Sequence, residues 1–126
     1  MGKLIGKFRT KYTGSTYSRS SDGRLLTSAN FEGTADGFGT VIGTINFSQT
    51  LEESRQTSAP CTFDGQIFGD DGSVSGTMAE GTWEQESGKN VWKFIFDGQT
   101  PDAGRVRTEG IADLAARSYN GQIFEA

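Results

Sequence analysis

The chain has 126 residues, the length of one domain, with 18 Gly, 2 Pro, 9 Phe, 3 Tyr and 2 Trp and a formal net charge of −4. It has no histidine and one cysteine, Cys61, which excludes Ser-His-Asp and Cys-His nucleophile systems, His-based proton transfer, nearly every zinc site and any internal disulfide. Residues 25–126 carry six bases against fifteen acids, while residues 1–24 carry six bases against one acid, and an acidic body argues against duplex nucleic acid as a partner.

The opening residues 1–6 hold no apolar run long enough for a signal peptide or a spanning helix, so no membrane partner is expected. A lone cysteine fits a reduced, cytoplasmic setting. The first strand is predicted over Lys3–Thr13, with Leu4, Gly6, Phe8 and Tyr12 on one face and Lys3, Lys7, Arg9 and Lys11 on the other. Gly14–Arg24 reads as a polar loop ending in the turn pair Asp22-Gly23. A second strand is predicted near Leu25–Ala35, and Asp36-Gly37 is a hairpin signal.

The third strand places Gly39, Val41, Gly43, Ile45 and Phe47 on one face. Leu51–Pro60 lacks alternation and reads as a long loop, with one helical turn over Leu51–Arg55 as the alternative. The fourth strand holds Cys61, Phe63, Gly65 and Ile67, and Gly69-Asp70-Asp71-Gly72 closes a hairpin. In the fifth, Val74, Gly76 and Met78 share a face but Trp83 is out of phase, so a bulge near Ala79-Glu80-Gly81 is expected. Ser87–Asn90 turns the chain. Trp92, Phe94 and Phe96 then alternate with Val91, Lys93 and Ile95, and Asp97–Ala103 reads as a loop. A seventh strand spans Gly104–Leu114 and an eighth Arg117–Phe124.

The segment Thr62-Phe63-Asp64-Gly65-Gln66-Ile67-Phe68 returns, nearly letter for letter, as Ser118-Tyr119-Asn120-Gly121-Gln122-Ile123-Phe124. Asn120-Gly121 looks like a hairpin turn, but a turn there leaves too little chain for a return strand. Both glycines are therefore placed inside strands, where a missing side chain lets a neighbour approach closely. The Gly-Thr pairs at 33–34, 39–40, 43–44, 76–77 and 81–82 add to the same rhythm. Glycine within strands permits strong coiling. The fold class is all-β: one domain over residues 1–126, a single antiparallel up-and-down barrel of about eight strands, with a two-sheet sandwich as the alternative.

Candidate site residues are aromatic. A hairpin centred on residues 88–89 sets Trp83 opposite Phe94 and Gln85 opposite Trp92, gathering an aromatic cluster with Phe96. Trp83, Trp92, Phe94 and Tyr119 are candidates to line a ligand pocket, against the reading that they simply fill the barrel. Glu109 joins them as a polar candidate, since Arg107 and Glu109 share a face and, if inward, form a buried pair able to orient a substrate; if outward, they are a solvated ladder. The Lys3, Lys7, Arg9, Lys11 stripe reads as a charged outer face. Asp70-Asp71-Gly72 is a fragment of a calcium loop without its remaining ligands. No glycine-rich phosphate cradle is present. No metal and no cofactor is expected.

The even meander, the Gly-Thr rhythm, Gly81-Thr82-Trp83-Glu84 and the closing Glu109-Gly110 resemble small closed barrels of the allene-oxide-cyclase and dirigent type. Calycins such as lipocalins are a second choice, though their early Gly-x-Trp is missing, since no Trp precedes Trp83. The resemblance implies an apolar central cavity, dimers or trimers and, in some members, cofactor-free cyclisation or isomerisation. The function expected is binding of a small apolar molecule, extended on that resemblance to isomerase or cyclase chemistry. The alternative is a non-catalytic oligomeric interaction module. The two are separated by whether the interior is hollow.

Overall fold

Alternation of small or aromatic residues with polar ones suits strands with one dry and one wet face. Eight such strands form: β1 (Leu4–Arg19), β2 (Leu25–Ala35), β3 (Gly39–Gln49), β4 (Ser58–Phe68), β5 (Val74–Gln85), β6 (Val91–Thr100), β7 (Gly104–Asp113) and β8 (Ser118–Glu125). The structure, a computed structural model, describes residues 2–126. Each strand pairs antiparallel with the next, and β8 returns to β1 from Leu4↔Phe124 to Lys11↔Ser118. The result is a closed up-and-down barrel. Among the described residues no helix is long and apolar enough to cross a membrane.

Four stretches depart from the sequence expectation, each for a local reason. Gly14–Arg24 is not a loop. β1 runs on to Arg19, pairing Ser15↔Ala29 through Arg19↔Leu25, after a register shift between Tyr12 and Gly14. Gly14 takes φ +130 there, a conformation that side chains rarely adopt. Beyond it β1 pairs with β2 alone and is mostly exposed, so the apolar alternation that marks a strand is missing.

β4 starts at Ser58, not Cys61, and the connection before it carries a short 3-10 turn, Glu53–Arg55. Pro60 sits in this extension, where β4 is paired with β5 but not with β3, so its missing N–H costs no ladder bond. β5 has no bulge: its pairing with β4 is continuous from Phe68↔Val74 to Ser58↔Glu84. The inward residues are Thr77, Ala79, Gly81 and Trp83, and the apolar Val74 and Met78 face out, 57% and 68% exposed. Finally β6 continues through Asp97-Gly98 to Thr100. Gly98 is a packing position, with Ala79 Cβ 3.2 Å from where its own Cβ would stand.

The inward faces meet in an aromatic waist. Phe31 and Phe94 both pack on Tyr119, with ring centroids 5.3 and 5.5 Å apart. Phe8 adds a contact to Tyr119 at 5.0 Å, and Phe94 stacks on Phe96 at 5.8 Å. Glycines make room for these rings. In the repeated segment Gly65 pairs with Gly43 across β3 and β4, and Gly121 pairs with Gly110 across β7 and β8. The ring two residues before each repeat glycine lies over the partner: Phe63 over Gly43, Tyr119 over Gly110. One device, an aromatic ring covering a cross-strand glycine pair, is used on opposite sides of the barrel. That accounts for the repeat without any domain duplication.

Candidate functional site

Packing eight twisted strands around large rings leaves space only where the rings stop. The waist divides the interior into two cavities, one at each end. The smaller, about 100 Å³, lies at the end of the β2–β3, β4–β5 and β6–β7 turns and is walled by apolar residues, among them Phe38, Val41, Phe63, Ile67 and Val106. The wider, about 350 Å³, lies at the opposite end, within the size range of ligand pockets. Phe31 borders both.

The wide cavity has an aromatic floor and a polar rim. Phe31, Phe47, Trp83 and Phe94 supply the floor with Ile45, which is fully buried, and Trp92 stands in the wall. Phe47 meets Trp83 edge-on at 6.3 Å and Phe94 at 6.4 Å. Thr27, Gln49, Gln85 and Ser118 ring the cavity nearer the mouth. Ser54 and Gln56 reach it from the β3–β4 connection. That connection is pinned by Arg24, whose Nη2 donates to Glu53 Oε1 at 2.7 Å and to Ser48 O at 2.9 Å. Glu53 also accepts from the Thr50 backbone N–H at 2.9 Å; this bond first, and then Arg24, hold its carboxyl below the usual carboxylate range.

The sequence-derived site residues divide three ways. Trp83, Trp92 and Phe94 come together in the wide cavity, in the predicted register, with Trp83↔Phe94 and Gln85↔Trp92 paired. Tyr119 stands at the waist and borders the small cavity instead. Glu109 belongs to neither. It sits on the outer face of β7, 26% exposed, with its Oε2 3.2 Å from Arg107 Nε; the inward positions of that strand are Val106, Gly110 and Ala112. Sequence reasoning overlooked Phe47, Gln49 and Gln85 as cavity residues, although each continues an inward phase already assigned, Phe47 to Gln49 and Trp83 to Gln85. The contributions of Ser54 and Gln56 carry no periodic signal.

The basic stripe of β1 is exposed on the outer face, with Arg9 3.8 Å from Asp36. Asp71 Oδ1 accepts the Ser73 backbone N–H at 3.0 Å, which makes Asp71 the cap of its turn; hydrogen bonds from Ser73 hold its carboxyl below the ordinary value.

Two buried groups at the core are held neutral. Burial pushes the Cys61 thiol up to about 12. Burial first, and then Cys61 nearby, raise the Tyr119 phenol above its ordinary value. The unfolded chain ionises its thiol near 9.0. The stability this neutral thiol contributes is therefore complete below that pH and is lost as pH rises toward about 12. We expect the urea midpoint to fall between about pH 8 and about pH 10.5, and Cys61→Ala to fall less steeply. Native Cys61 should also react slowly with disulfide reagents at about pH 8. Rapid labelling of the folded protein would show that the thiol is not sealed in the core.

No protein-family model matches the chain, and neither a curated protein nor a solved structure does. A closed barrel is implied by both groups that the sequence rhythm resembles, and it does not choose between them.

Proposed function

We propose that this barrel binds a small, largely apolar molecule in the wide cavity. The observation that carries the reading is a space of about 350 Å³ over an aromatic floor, set above a packed waist. A filled waist gives such a site a rigid base, and the surrounding strands preorganise its walls. The smaller cavity, about 100 Å³, is less than a third of that size. Among the described residues the one carboxylate bordering the wide cavity, Asp113, caps the following turn through Oδ1, accepting from Ala115 N at 3.0 Å. We therefore read the cavity as a binding site, with any isomerase or cyclase step resting on shape and hydroxyl groups alone.

Both tryptophans border the cavity, so occupancy should be visible in their fluorescence. Incubating the purified protein with apolar dyes or a metabolite extract, followed by native mass spectrometry, should show a retained mass of one ligand per chain and a shift in tryptophan emission. Retention of nothing, with unchanged emission, would overturn the reading.

A second reading, an oligomeric interaction module, is supported by the outer face of β3–β5. Ile42, Val74 and Met78 are 47%, 57% and 68% exposed there, around Gly76, whose added Cβ would meet nothing within 4 Å. Gln66 of β4 stands between Ile42 and Gly76, and apolar side chains exposed on one face of neighbouring strands suit a dimer or trimer contact. Light scattering after size exclusion tests it: a dimer or trimer that Met78→Lys converts to monomer is expected, and a monomer at all concentrations ends this reading. The free, buried Cys61 supports a reduced, cytoplasmic setting.

A further inference from the structure

We propose that the ligand of the wide cavity is uncharged and amphipathic: a flat apolar body held among the rings at depth, with a hydrogen-bonding edge turned toward the mouth. This rests on the reading of that cavity as a ligand site and names the class of molecule it takes.

No lysine or arginine is among the described residues bordering the cavity. Of the cations at this end of the barrel, Arg24 pairs with Glu53, Arg117 Nη1 donates to Leu114 O at 2.7 Å and Lys89 lies 3.4 Å from Glu86; Arg19 and Arg55 are exposed and do not border the cavity. An anion entering the cavity would lose its hydration and find no opposite charge. A cation would find aromatic faces but, among the described residues, only one bordering carboxylate. That is Asp113, at the rim, whose Oδ1 takes two turn N–H groups, Ala115 at 3.0 Å and Ala116 at 3.4 Å.

Neutral hydrogen-bonding groups are instead well represented. Gln49 and Gln85 are half-buried on the inward faces of β3 and β5, directly above the ring layer of Phe47 and Trp83. Gln85 Nε2 donates to Lys89 O at 2.8 Å, which fixes its amide and leaves its Oε1 as an acceptor. Gln49 brings both donor and acceptor, and Thr27 and Ser118 add hydroxyls. Amides and hydroxyls above aromatic faces read a neutral amide, alcohol or ketone on a planar skeleton. They discriminate by leaving a buried polar group unpaired when the partner is absent.

One skeleton in four forms tests this: naphthalene-2-carboxamide, 2-naphthoate, 2-naphthylmethylammonium and 2-ethylnaphthalene. Binding is read from the indole N–H resonances of Trp83 and Trp92 during titration of the nitrogen-15-labelled full chain. The carboxamide should bind at least about tenfold tighter than the other three. Gln49→Leu, which keeps the side-chain size, should erase most of its margin over the hydrocarbon. The wild-type series decides the matter even if that variant fails to fold. If the hydrocarbon binds as well as the carboxamide, the cavity stands as a site and the proposed class falls. Tightest binding of the ammonium would make it an aromatic cation site, and tightest binding of the carboxylate would also overturn the proposal. If none of the four moves either indole resonance, this inference and the ligand-site reading fall together.

Discussion

Trp83→Ala is expected to destabilise the barrel by about 3–5 kcal/mol in urea denaturation. Trp83 is 6% exposed and packs edge-on against Phe47, directly opposite Phe94. Removing the indole takes away a large buried apolar area and opens the waist into the wide cavity, where the rings around it cannot collapse without breaking their own contacts. The loss should be much smaller in Trp83→Phe. The Nε1 hydrogen of Trp83 is buried without an acceptor, so phenylalanine keeps most of the packing and removes a donor that gains nothing from its place. Trp92→Ala should cost less than half as much as Trp83→Ala, because Trp92 is only half-buried at the cavity wall. Equal losses at the two tryptophans would mean that the waist does not carry the stability assigned to it.

Gly121→Ala is expected to cost about 3 kcal/mol or more, and Gly76→Ala to change stability by no more than about 0.5 kcal/mol. A Cβ at Gly121 would press on the Glu109 carbonyl of the neighbouring strand, and main chain held in a ladder cannot rotate away. At Gly110, its cross-strand partner, a Cβ would stand 2.6 Å from Tyr119 Cε1 and 2.7 Å from Phe8 Cζ, pushing apart two rings of the waist. At Gly76, on the outer face, a Cβ meets nothing within 4 Å, and alanine restricts the unfolded chain. Chemical denaturation of the two variants is the measurement. A Gly121→Ala protein as stable as Gly76→Ala would show that the close backbone approach at the Gly110–Gly121 pair does not constrain β7 and β8.

The same glycines show how far the sequence alone reaches. Period-two patterning and turn residues determined the all-β class, the number of strands, most turns and the Trp83–Phe94 register, because neighbouring strands in a meander are fixed by local chemistry: a two-residue side-chain period and short loops. The repeated segment likewise asks one geometry of Gly65 and Gly121, and both stand inside strands. Local chemistry misled where the reason for a residue lay on the paired strand. Gly98 resembles half of an Asp-Gly turn but is a contact point for Ala79. Val74 and Met78 look like core residues, yet their phase, set by Trp83 and by unbroken pairing with β4, turns them outward.

The candidate site was legible in its floor and not in its shape. Trp83, Trp92 and Phe94 follow from one hairpin, so their meeting needs no tertiary information. That Tyr119 sits across the waist in the other cavity, that Glu109 faces out, and that Gln49 and Gln85 stand above the rings all depend on how far the closed sheet tilts and coils. So does the division of the interior into about 100 Å³ at one end and 350 Å³ at the other. A sequence states which side chains point inward. Only closure of β8 onto β1 decides which of them meet, and where the rings leave a space, because the volume inside a barrel is a property of all eight strands at once.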